Sequence, residues 1–240
     1  MSGLPVLFFL ILASALPVFP VLLWYRLSRF PLSPAHCSFA LLSGAAALFP
    51  ALLLQRLVSG IVDAHPGIWN PAADIFIRIA FTEEAGRLLT LLILFLFSGD
   101  LKRPVLRNPD TGEASDPSRA AGLTARGAAL GLLAGLGFAM LESAAYGAVD
   151  FRATLYRAFT AAPLHAACGA RIGSALLLFG IQPRRPVFRF FSAVVIHGVY
   201  DFMIIRPGIS SLLAILIALF ALASSALEIR SGMKLRSGPQ

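Results

Sequence analysis

Four short stretches of this 240-residue chain set acids, imidazoles and a guanidinium at one-turn spacing inside apolar sequence. Glu83 and Glu84 stand side by side with Arg87 just beyond them, Phe138 leads to Glu142, His165 to Gly169, and His197 to Asp201. Residues four apart share a helix face, so each stretch offers one inward stripe. A carboxylate held near a neutral imidazole in a partly desolvated cavity can act as a general base on water, and Glu83 and Glu84 suit that role. Adjacent helical residues point about 100° apart. One glutamate therefore faces the central cavity while its neighbour braces another helix, and the residue types leave open which is which. His197 and Asp201 suit polarising a carbonyl oxygen and steadying a tetrahedral intermediate, the need of amide hydrolysis. Asp201, one turn beyond His197, is also placed to fix the imidazole tautomer. His165 and His197 with Glu142 or Glu83 could make a His-and-carboxylate metal site. No G-x-S-x-G elbow, H-E-x-x-H pair or phosphate loop is present.

The surroundings of these groups are what make them informative. The chain is 58% hydrophobic and 13% charged, with mean hydropathy +0.80. Such a composition is foreign to soluble domains and predicts an all-α, polytopic membrane bundle. Seven apolar spans are the economical division: roughly Leu4 to Tyr25, Phe39 to Val58, Ala72 to Phe97, Gly127 to Ala148, Ala153 to Phe179, Val187 to Ile205 and Ile209 to Leu227. The first span lacks a basic leader and is too long for a signal segment, so it is expected to stay as a helix. Arg78, Glu83, Glu84, Arg87, Glu142, Arg171 and Asp201 then fall within spans. At about 2.5–3.5 kcal/mol each, these charges unpaired would cost roughly 20 kcal/mol, more than the ~5–15 kcal/mol net stability of a typical fold. They must face one another or a wet cavity.

The net charge of +8 would suit nucleic acid, but its distribution is a topological signal instead. Arg26 and Arg29, then Lys102 through Arg126, then Arg184, Arg185 and Arg189, and finally Arg230, Lys234 and Arg236 fill alternate connections. Those connections are expected to be cytoplasmic, with the N-terminus outside and the C-terminus inside. Counted from the outer ends at about 1.5 Å per residue, Glu83, Glu142, His165, His197 and Asp201 lie roughly 16, 9, 18, 12 and 6 Å deep. Acids and imidazoles from four helices thus share the outer half of a core about 30 Å thick.

One integral membrane domain, residues 1–240, accounts for the whole chain. The hydrophilic segment at about 99–123 reads as a flexible cytoplasmic loop, and 229–240 as a short basic tail. Gly127, Gly131, Gly135 and Ala139 form a smooth face on the fourth span, and Ala166, Ala170 and Ser174 on the fifth, predicting close helix contact. Arg78 and Arg171 read as counter-ions or snorkelling side chains. His36 and His65 read as loop residues, and Trp69 and Asp74 as markers of the outer interface. Cys37 and Cys168 carry no disulfide framework.

"EEAGR" with Glu83 and Glu84, "GFAMLESAAYG" with Phe138 and Glu142, "APLHAACG" with His165 and "HGVYDF" with His197 and Asp201 resemble, in order, the four motifs of PrsW-type membrane proteases. That family is related to the CAAX prenyl endopeptidase and bacteriocin-processing superfamily. The resemblance covers about Ala72 to Ile205. It implies a bacterial multi-pass inner-membrane hydrolase that cuts a single-pass membrane protein, such as site-1 cleavage of an anti-sigma factor. It further implies that Glu83 or Glu84 with His165 activates water, that Glu142 is a supporting acid, and that His197 and Asp201 stabilise the oxyanion. The usual pattern has lysine where this chain has Arg87. The cofactor stays open: none for a glutamate-type enzyme, zinc for a metal-dependent one. The expected partners are the lipid bilayer and the protein substrate, with no nucleic acid. A CAAX-type prenyl protease or a proton-coupled transporter could use the same cluster.

Overall fold

Long apolar runs, interrupted by proline or by glycine-rich polar stretches, wind into one helix after another, and all regular structure among the described residues is helical. The computed structural model describes residues 3–64, 71–102, 117–179, 184–205 and 211–236. His65, Trp69 and 103–116 of the expected loop lie outside the described residues.

Helices α1 (Gly3–Ser14) and α2 (Val18–Leu27) form a pair bent by 44° at the break before Val18, where Pro17 precedes the second helix. Helix α3 (Pro34–Ala46) starts with Ser33 accepting the His36 amide and with proline at its first position, the preferred N-terminal chemistry. It runs on through Ala47 into α4 (Leu48–Ala64). Next come α5 (Pro71–Ala73), a π-helical segment (Asp74–Phe81), α6 (Thr82–Phe97) and a 3₁₀ turn (Asp100–Lys102). The chain resumes with α7 (Pro117–Gly147), α8 (Phe151–Phe159), α9 (Ala161–Leu178), α10 (Arg184–Ile205) and α11 (Ser211–Arg236).

Among the described residues, five stretches are long and apolar enough to cross a membrane: Pro34–Ile61, Ala120–Gly147, Ala161–Leu178, Arg185–Ile205 and Ser211–Lys234. The bent α1–α2 pair makes a sixth if it counts as one span. The expected span from Ala72 to Phe97 is helical but is not among them, because π winding divides it and five charged side chains, Asp74, Arg78, Glu83, Glu84 and Arg87, lie within it. Two boundaries also differ from the sequence expectation. Helix α7 begins at Pro117, so the end of the hydrophilic stretch is helical. The expected fifth span divides at Thr160 into α9 and the short α8, capped by Asp150, whose side chain accepts the Arg152 amide.

Helices α7 and α9 form the centre, with 78% and 83% of their apolar windows buried, against 22–28% for the other spanning stretches. Glycine makes that centre possible. A Cβ on Gly127 would strike the Gly173 backbone, one on Gly131 the Gly169 carbonyl, and one on Gly135 the carbonyl of His165. Because helix backbones approach this closely only over small residues, the glycine face of α7 sets the height of His165. The matching face on α9 is Ala166, Gly169 and Gly173. Replacing Gly135 by Val is expected to destabilise the protein by about 1–3 kcal/mol through overpacking. Thermal unfolding in detergent would measure it, and an unchanged midpoint would mean that the helices part freely at this level.

Away from the centre, polar side chains fasten the outer helices. The Arg171 guanidinium donates to Ser224 and Ser225 at 2.8 and 3.0 Å and to two carbonyls, while Arg189 pairs with Glu228. Arg78 pairs with Asp74 at 2.5 Å, as a counter-ion should. Large apolar side chains such as Phe49, Phe97, Phe188 and Phe220 face outward, as a surface in contact with hydrocarbon requires.

Candidate active site

All six residues singled out for chemistry converge at one end of the bundle. They come from the first turn of α6, the last third of α7, the first turns of α9 and the second half of α10. Because α9 begins at Ala161, His165 lies roughly 6 Å from its helix start, close to the level of Glu142.

Glu84 and Arg87 are fully buried, and Arg87 donates to one Glu84 oxygen. The other Glu84 oxygen lies 2.6 Å from Nδ1 of His197. A carboxylate accepts, so His197 carries its Nδ1 proton toward Glu84 and turns Nε2 into the cavity. Arg87 also places Nη2 3.1 Å from Nδ1 of His165. A guanidinium only donates, which makes that nitrogen the acceptor and leaves the His165 proton on Nε2, 2.9 Å from Glu142 Oε2. Arg87 further stacks over Phe138, 4.5 Å from the ring centroid. Its planar fork thus reaches three groups, which the single ammonium of the lysine usual at this position would not do in the same geometry. The two imidazoles meet edge to face with centroids 5.0 Å apart.

Glu83 behaves differently from its neighbour. Gln55 of α4 donates to Oε1 at 3.2 Å, whereas Oε2 is buried without a hydrogen bond and lies 3.6 Å from Nε2 of His197. Asp201 Oδ2 approaches the same nitrogen at 3.3 Å. A buried acceptor left without a donor is expensive, so Oε2 marks where a water, proton or cation belongs.

The π segment and a glycine explain how α6 and α10 come so close. Wide winding before Thr82, whose hydroxyl donates to the Arg78 and Ile79 carbonyls, delivers both glutamates to the top of a regular helix. Segments of this kind recur at functional sites. Beside His197, Gly198 has no side chain, and the Phe76 ring of the π segment occupies the space a Cβ would take.

Two further participants lie outside the four sequence motifs. Arg157 of α8 lies 2.5 Å from Glu142 Oε2 and stacks over Tyr146 at 4.2 Å. Its signal in the sequence is the short amphipathic stretch after Asp150, most of which falls within the expected fifth span. Gln55 was visible as a lone amide in the apolar run Leu48 to Leu57, without a neighbour of its own kind to draw attention.

The cluster fits a divalent cation. One ligand atom from each of Glu83, His165 and His197 lies within 4.8 Å of the others, and two imidazoles with one glutamate are a donor set of catalytic zinc sites. Glu83, Glu84, Glu142 and Asp201 outnumber the guanidiniums of Arg87 and Arg157. A divalent ion or protonated imidazoles would balance that negative surplus, as buried charges require. An ion taking His165 through its lone pair competes with Arg87 for the same nitrogen.

Searches of curated proteins and of solved structures return no match. A family model described as PrsW family intramembrane metalloprotease matches residues 33–225, which include every site residue above and the unforeseen Gln55 and Arg157. With that coverage, and with the all-helical fold already described, the chain belongs to the PrsW family of intramembrane proteases and is a multi-pass membrane peptide hydrolase.

Proposed function

We propose that this protease cuts a single-pass membrane protein, of the anti-sigma-factor type, near the extracytoplasmic end of its span, with Glu83 as the group that activates water. The observation carrying this reading is the unpartnered Oε2 of Glu83 opposite two imidazoles. Glu84 is fully engaged by Arg87 and His197 and holds the scaffold. Glu83, held from behind by Gln55, keeps one oxygen available to take a proton from water within hydrogen-bond reach, the geometric requirement for a general base. Glu84 holds the His197 Nδ1 proton, and a second proton on Nε2, steadied by Asp201 at 3.3 Å, is what lets the imidazolium face a scissile carbonyl where it would develop charge. Asp201 can serve there only as a proton-bearing or His-bridged group, since a bare carboxylate repels an oxyanion. Arg157 holds Glu142 against His165 and so preserves the His165 proton position.

With the family's metal, Glu83, His165 and His197 would hold it, and Glu83 would then be a ligand in place of a free base. When bound, a divalent ion supplies Lewis-acid polarisation and lowers the pKa of water.

The test is co-expression with a tagged single-pass substrate. Glu83→Gln, Glu84→Gln and His165→Ala are each expected to insert normally, and Glu83→Gln and His165→Ala to abolish processing. Purified enzyme assayed with and without chelator addresses the ion separately. Undiminished cleavage by all three variants would remove this reading.

A further inference from the structure

A second polar site lies at the end of the bundle away from Glu83. Helix polarity brings together the turn after α2, the first turns of α7 and the last turns of α11 around a cavity of about 670 Å³. Four cations line it: Arg29, Arg126, Arg230 and Lys234, with Trp24 and Phe30 supplying part of an apolar wall. Arg126 is anchored by the buried Asp100 carboxylate at 3.0 Å and by the Pro31 carbonyl at 3.4 Å. The Arg29 and Arg230 guanidiniums make no hydrogen bond or ion pair with any described residue.

The positive charge preference of cytoplasmic loops explains the number of basic residues at this end. It does not require side chains from three separated segments to line one cavity. Like charges gathered around a concave surface repel one another, and an anion relieves that repulsion. Backbone conformation at Arg29 points the same way. Its φ is +51°, the left-handed conformation that follows a helix C-terminus and normally falls to glycine, yet here an arginine occupies it and lines the cavity.

We propose that this cavity binds a phosphate-bearing anion, specifically the headgroup of an anionic phospholipid, with Arg29 and Arg230 as its principal donors. Guanidinium forks match phosphate oxygens, and an adjacent tryptophan at the end of a span marks headgroup depth. The apolar wall accepts the glycerol and first acyl carbons. Anionic lipid in the cytoplasmic leaflet would supply the ligand, so the bound lipid would tie the first spans to α7 and α11.

The chain has two tryptophans, so a Trp69→Phe variant reports Trp24 alone. In mixed micelles with unlabelled phosphatidylcholine, brominated phosphatidylglycerol is expected to quench Trp24 more than brominated phosphatidylcholine at equal mole fraction. That excess should vanish in Arg29→Gln/Arg230→Gln, whose folding is checked by its thermal midpoint. Inorganic phosphate at matched ionic strength forms a second arm. Competition would show that the site also takes the soluble ion, and no competition that it requires the lipid headgroup; either supports the site. Equal quenching by both lipids in the parent, or an excess surviving the double substitution, would overturn it. The proposal stands apart from proteolysis, since neither arginine lies near Glu83 or His165.

Discussion

Glu83→Gln is expected to lower substrate cleavage by about 10²–10⁴-fold, the usual span for loss of a general base, with the thermal midpoint unchanged or raised. Glutamine keeps the size of the side chain and can still accept from Gln55, which now supports Oε1. What disappears is the charge on Oε2, the atom without a hydrogen bond. That oxygen makes no hydrogen bond, its contact with His197 Nε2 is long at 3.6 Å, and Asp201 crowds the same nitrogen as a like charge, so its neutralisation weakens the fold little. Glu84→Gln provides the contrast. Its two oxygens face Arg87 and His197, so activity and stability should fall together. Full cleavage by Glu83→Gln would assign the water-activating role elsewhere, and a large loss of stability in it would mean that the carboxylate is a brace after all.

Arg87→Met is expected to destabilise the protein by about 3–5 kcal/mol, because removing one partner of a buried ion pair strands the other. Glu84 would be that stranded group, with no exposed surface. Arg87→Lys separates charge from shape. A lysine ammonium can keep the bond to Glu84, but it lacks the planar fork that also reaches Nδ1 of His165 at 3.1 Å and lies over Phe138. The lysine variant should therefore retain most of its thermal stability and lose turnover at constant KM, because His165 is no longer held in one tautomer. Identical turnover in the two proteins would show that the contact with His165 does not contribute.

Much of this was readable before any coordinates. Charged and imidazole side chains at one-turn spacing in apolar sequence have few tolerable fates in a membrane, and the expense of leaving them in lipid is enough to predict one shared site. The glycine face of α7 is equally local, because a residue without a side chain every fourth position can only announce a backbone neighbour. The all-helical fold follows from composition for the same reason: within hydrocarbon a spanning segment must satisfy its own backbone.

Tertiary structure alone decided the different surroundings of Glu83 and Glu84. They are chemically identical neighbours, and their difference lies in which partners other helices bring, Arg87 and His197 to one and Gln55 to the other. It likewise revealed Arg157 and the basic cavity, because both depend on segments distant in sequence meeting at one point. Periodicity within a helix reports which face a residue shares, but depth depends on where the helix starts. His165, expected about 18 Å deep, stands roughly 6 Å from the start of α9 because the expected span divides at Thr160. Periodicity carries no information about which atom on another helix will stand opposite, since that is set by close packing of the whole bundle.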